Sequence, residues 1–180
     1  VEIDASVVEI CREFLPSISG TAFDDPRHEL IIADGIQFMK ETDETFDVII
    51  VDSPDPIGVG AALFTSAFYA DCKRCLAPGG VLVTQNGVPF TQMLELRDSM
   101  TSLTSLFADA RCYVTHVPSY IGGPMALGWA SDDRALWRKP LVTLTSRFKK
   151  SAIDTRYYTP AVHQASFAVP RYIEELIAAR

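Results

Sequence analysis

A chain of 180 residues with 48% apolar content can build one core of substantial size and is crowded for two independent domains. Its formal charge of −7 argues against a broad nucleic-acid footprint, which needs clustered Lys and Arg to displace counterions, while cationic small molecules remain acceptable partners. No apolar run approaches the roughly 20 residues of a bilayer-spanning helix, and the first residues lack the basic and apolar pattern of a signal peptide, so no membrane partner is expected and the compartment is read as the cytoplasm.

Strand-like and helical runs then alternate along the chain. VEI precedes ASVVEICREF, HELIIAD precedes GIQFMKET, FDVIIVD precedes TSAFYADCKRCL, and GVLVTQN precedes TQMLELRDSMTSLTSLF. This βαβα series implies a doubly wound α/β sheet, mostly parallel, with a ligand crevice along its strand ends. The continuous β-branched run Val48 to Val51 is the mark of a strand covered on both faces. RCYVTHV and MALGWAS, separated by PSYIGGP, read as a closing antiparallel pair. KPLVTLTSRFKK and PRYIEELIAAR are helical, the latter opening at a proline suited to a first turn. Without repeats, low-complexity segments or flexible linkers, residues 1–180 read as a single domain.

Val1 stands directly inside a strand, with nothing before it to lead in, so an upstream segment is expected to be missing. In nucleoside-binding sheets of this kind a first strand and glycine-rich turn precede an acidic residue that holds the ribose. Glu2 in VEID fits that acid; the glycine turn is absent.

Four cysteines, at 11, 72, 75 and 112, are too scattered for a disulfide framework. Cys72 and Cys75 form C-x-x-C within a helical pattern and lack a second ligand pair at metal spacing, so they read as packing residues and no metal site is expected. His28, His116 and His163 each stand alone, and Trp129 and Trp137 read as core. Gly58 and Gly60 form a G-x-G after a strand, a weak signal in an acidic loop that would repel phosphate.

The polar residues at strand ends are more telling together. Glu2 and Asp4, Asp34 with Gly35, Asp52 and Asp55, and Gln85 with Asn86 are delivered by four successive strands to one edge, joined by Tyr120. Asp52 closes the strand FDVIIVD and Asp55 lies on the loop after it. Alone, the pair reads equally as a turn former and a residue before proline.

With these residues in place, the chain resembles the spermidine synthase (polyamine aminopropyltransferase) family, of the enterobacterial type, almost end to end. The resemblance rests on VEID, IADG, FDVIIVDSPDP followed by GAALFTSAFYADCKRCLAPGG, VTQNG, VPSYIGG and RYYTPAVHQASFAVP. It implies a Rossmann-like, methyltransferase-type catalytic domain that lacks its first strand and the family's N-terminal β-hairpin domain. It also implies transfer of an aminopropyl group from decarboxylated S-adenosylmethionine, a co-substrate, to putrescine, giving spermidine and methylthioadenosine with no prosthetic group. On that resemblance Glu2 binds the ribose hydroxyls, Asp34 with Gly35 recognises adenine, and Ile3 and Leu63 flank its faces. Asp52 is the proton acceptor and also binds polyamine, with Asp55, Gln85 and Tyr120 arranging it. Val59 stands where the family usually has a proline beside the nucleoside, Ala61 replaces a usual glutamate, and Pro54 stiffens the loop between the acids. Tyr157 and Tyr158 belong to a segment that closes near the site in the family.

A homodimer is the oligomer the resemblance suggests, and an N-terminal fragment or second subunit is expected to complete the chain. Two other readings share the sheet and the ribose-binding acid: an S-adenosylmethionine-dependent methyltransferase, and a non-catalytic nucleoside-binding fragment. The D-x-x-D-P pair suits a cationic amine acceptor better than a generic methyl acceptor.

Overall fold

Helix starts follow the side chains that cap them. In the computed structural model, which describes residues 1–120 and 123–178, Asp4 accepts from the Ser6 backbone N–H and opens α1 (Ala5–Phe14). Asp34 does the same for Ile36 at the start of α3 (Gly35–Glu41). Each carboxylate satisfies an otherwise orphan donor of the first turn. A short helix α2 (Pro16–Ser19) packs on α1.

The backbone falls into two compact units, Val1–Asp43 and Glu44–Arg180. In the first, the expected strands VEI and HELIIAD contract to one parallel bridge between Glu2 and Ile32. Glu2 donates to Ile31 O and its carbonyl accepts from Ala33 N, both at 3.0 Å. Val1, Ile3, Leu30 and Ile32 beside this bridge are exposed, so burial does not drive the ladder further.

The second unit holds a four-stranded mixed sheet in the order β1-β2-β4-β3. The strands are β1 (Phe46–Val51), β2 (Leu76–Gln85), β3 (Asp109–Thr115) and β4 (Met125–Ser131). β1 and β2 run parallel, with Val51 opposite Thr84. β4 enters between β2 and β3 and is antiparallel to both, so the expected closing pair forms. β2 starts at Leu76, earlier than GVLVTQN suggested: Phe46 pairs with Leu76 and Val48 with Val81, and the intervening Ala-Pro-Gly-Gly is accommodated as an irregularity.

Helices α4 (Ser66–Arg74) and α5 (Met93–Leu106) pack on one another, and α5 lies against β3 and β4. Leu96, Met100 and Leu103, one stripe of α5, are completely or almost completely buried, as helical spacing requires. α8 (Arg171–Ala178) docks on α5, burying Ile173 fully. α6 (Leu141–Ser151) packs on α7 (Pro160–Ser166), and α7 reaches β3. α7 falls in RYYTPAVHQASFAVP, where no helix was assigned from sequence. Phe167 just after it gathers the rings of Tyr113, Trp129, Trp137 and His163 at centroid distances of 5.3 to 6.3 Å, so both tryptophans serve packing.

Coverage of β1 is one-sided. Ile49 is buried while Val48 and Ile50 are exposed, Ile50 by 72%, contrary to the expected burial of both faces. Alternate residues of a strand project to opposite sides, so Val48 and Ile50 share the face away from Ile49, and that face is the uncovered one.

Candidate functional site

The register of the second unit decides which polar groups can meet. β1 and β2 are parallel with Val51 opposite Thr84, so Asp52 and Gln85, the next residue of each, emerge side by side at the carboxyl ends of adjacent strands. β4 is antiparallel to β2, with Gln85 opposite Leu127, so the β3–β4 connection that carries Tyr120 leaves the sheet at this same edge. Four of the expected polyamine-site positions, Asp52, Asp55, Gln85 and Tyr120, therefore belong to one rim of one sheet. Binding at that rim is general for α/β sheets.

The side chains there differ in their engagement. Asp52 is exposed, and among the described residues its carboxylate makes no hydrogen bond or ion pair. Ser53 beside it is buried. Asp55 is also exposed, but its Oδ1 accepts from Gln92 Nε2 at 2.8 Å. Gln85 is buried and directs its Nε2 to Met125 Sδ at 3.9 Å, a weak contact that leaves its amide poorly satisfied by protein. Tyr120 is half-exposed with its backbone N–H on Val117 O. Its hydroxyl has no partner among the described residues.

Asn86 departs from the group. It is fully buried and its amide meets Thr84 Oγ1 at 2.9 Å, so it serves the sheet's end and not the rim. Gly60, read from sequence only as half of a weak G-x-G, has a structural duty. A Cβ there would lie 2.9 Å from both Asp55 O and Pro54 Cγ, so the 3₁₀ segment Gly58–Phe64 can close against the acidic loop only with glycine at that point. Leu63 in this segment is half-buried; the side chain of Val59 lies outside the described residues.

The expected nucleoside residues of the first unit form their own cluster. The bridge between Glu2 and Ile32 is parallel, which brings Ile3 and Asp34, the residues following each pairing segment, to the same end. Ile3 is exposed. Glu2 Oε1 accepts from Asp4 N at 2.9 Å, and Asp4 is used as the cap of α1. Asp34 Oδ1 is occupied by the Ile36 N–H, leaving Oδ2 without a partner among the described residues. Gly35 is the first residue of α3. Ala33, Asp34, Gln37 and Phe38 help line an open depression of about 400 Å³.

Two further features belong to the second unit. Tyr157 OH accepts from Thr115 Oγ1 at 3.0 Å and from His116 N at 3.1 Å, tying the C-terminal segment to the root of the β3–β4 connection. These bonds hold the phenol below its ordinary pKa. Cys72 and Cys75 are fully buried, and burial, with Cys75 and Asp71 adding, pushes the Cys72 thiol up to about 12, which suits packing residues and not thiolate chemistry. Gln92 was missed by sequence reading, since nothing in TQMLELRD points to an aspartate 37 positions away.

The family described as spermine/spermidine synthase domain matches residues 1–140. The polyamine aminopropyltransferase of Ruegeria sp. (strain TM1040) is 52% identical over 176 residues, covering 98% of this chain and 62% of that protein. That of Serratia proteamaculans (strain 568) is 53% identical over 173 residues, covering 96% and 60%. The chain thus spans about 60% of the length of these relatives. A crystal structure of a spermidine synthase in complex with the transition state analogue AdoDATO superposes with a TM-score of 0.89 at 30% identity, over 99% of this chain and 60% of that one.

Proposed function

This chain belongs to the spermine/spermidine synthase domain family, and on that premise we propose that it carries the catalytic rim of an aminopropyltransferase acting on decarboxylated S-adenosylmethionine and putrescine. The observation that carries the reading is the pairing of β1 with β2, which sets Asp52 beside Gln85 at one rim with Asp55 on the adjoining loop. Support also comes from the relatives named polyamine aminopropyltransferase.

The chemistry calls for these residue types. A primary amine has a pKa near 10.4 in water and is protonated at neutral pH, so it attacks only after losing a proton. In the proposed step the amine nitrogen attacks the carbon bound to the sulfonium. The Asp52 carboxylate takes that proton, the N–C bond forms, the C–S bond breaks with its electron pair going to sulfur, and the nitrogen keeps its two remaining protons as the secondary ammonium of the product. Spermidine and neutral methylthioadenosine result. Asp52 has no competing partner among the described residues, as a proton acceptor requires. Asp55, the Gln85 amide and the Tyr120 hydroxyl hold the polyamine, and clustered carboxylates concentrate a dication. Glu2 and Asp34 with Gly35 are proposed to hold the ribose and adenine, with Ile3 against the nucleoside.

Substitution Asp52→Asn tests the assignment. General-base help is worth about 10² to 10⁴ in rate, so kcat is expected to fall by that range with donor binding retained. Turnover at the unmodified rate would refute the role given to Asp52.

A further inference from the structure

The side chain of Gln92 links the loop between β2 and α5 to the acidic loop. Its Oε1 accepts from the Val88 backbone N–H at 2.8 Å, and its Nε2 donates to Asp55 Oδ1 at 2.8 Å. A backbone N–H can only donate and an ionised carboxylate can only accept, so a single orientation of the amide satisfies both neighbours. The backbone is held as well: Gln92 N donates to Val88 O at 2.8 Å, and Gln92 O accepts from Leu96 N in the first turn of α5. Gly87 makes room for it. Its φ is +79°, and a Cβ at that position would lie 2.7 Å from Gln92 Oε1.

A carboxylate offers about four acceptor positions, and Gln92 occupies one of those on Asp55. The donor is neutral. Lys or Arg in its place would orient the acid but cancel its charge and repel an incoming ammonium; an amide orients it and leaves the charge intact for a cation. We propose that Gln92 is a positioning residue that aims the Asp55 carboxylate at the protonated amine of the polyamine acceptor. This inference rests on the aminopropyl-transfer reading above.

The test combines Gln92→Met, which keeps length and removes both hydrogen bonds, with Asp55→Asn in a double-mutant cycle. Putrescine affinity is read by titration calorimetry on the 180-residue chain, so turnover is not needed. Loss of a hydrogen bond to a charged group is expected to weaken putrescine about tenfold or more, with methylthioadenosine affinity unchanged. The Gln92 effect is expected to vanish when Asp55→Asn is already present, whereas a purely structural clasp would cost the same in both backgrounds. Nitrogen–proton correlation spectra give a second readout: the Gln92 side-chain amide signals are expected to move in Asp55→Asn.

Unmoved amide signals, or Gln92→Met binding putrescine as tightly as the unmodified chain while Asp55→Asn binds it weakly, would overturn the role of Gln92 and leave the reading of Asp55 standing. Putrescine affinity indifferent to Asp55→Asn would overturn that reading and this inference together.

Discussion

A Cβ at position 60 would sit 2.9 Å from Asp55 O and from Pro54 Cγ, a distance that real side chains essentially never tolerate against backbone. Gly60→Ala must therefore push the acidic loop away from the 3₁₀ segment. Overpacking of this kind costs about 1–3 kcal/mol. Denaturant unfolding is expected to register that loss, and calorimetry a weaker grip on putrescine; a variant with unchanged stability and binding would remove Gly60 from the loop's support. At this scale the sequence was partly legible. Asp52 and Asp55 announced themselves by following a β-branched run, because strand ends are where ligands gather. Asn86, by contrast, shares its neighbour's polarity but is consumed by Thr84 Oγ1, a bond that depends on the backbone's path past the end of β2. Gln92 was hidden for the same reason: its partner is 37 residues distant.

The element built around α7 couples the sheet to titration. His163 is half-buried between the rings of Tyr158 and Phe167, each 5.8 Å away, and burial lowers its pKa below 6.5. The unfolded chain thus takes up the proton first as pH falls. The stability this ring contributes is present above about pH 6.5 and is lost as pH drops through the lower folded value. The melting temperature is expected to be higher at pH 7.5 than at pH 5.5, with a smaller difference in His163→Gln; equal differences would show that another group is responsible. Helix α7 itself escaped sequence reading, since a seven-residue segment between prolines offers less than two helical turns of periodicity. α4 and α5 were legible from their helical patterns, and the β3–β4 pair from two strand-like runs joined by the short loop PSYIGGP. The insertion of β4 between β2 and β3 is a long-range choice that no local pattern encodes, and the exposure of Val48 and Ile50 likewise depends on what packs against that face of β1.

For the whole molecule, the two compact units each gather expected site residues at one end of their parallel segments: Glu2, Ile3, Asp34 and Gly35 in the first, Asp52, Asp55, Gln85 and Tyr120 in the second. The chain belongs to the spermine/spermidine synthase domain family and spans about 60% of its relatives' length. Among the described residues no helix is long and apolar enough to cross a membrane. Mass spectrometry tests the proposed aminopropyl transfer without an intermediate assumption. The 180-residue chain is incubated with putrescine and decarboxylated S-adenosylmethionine, and the products are identified. Spermidine and methylthioadenosine are expected in equal amounts, both formed about 10² to 10⁴ times more slowly in Asp52→Asn. A folded chain that binds the donor yet forms neither product would contradict the claim.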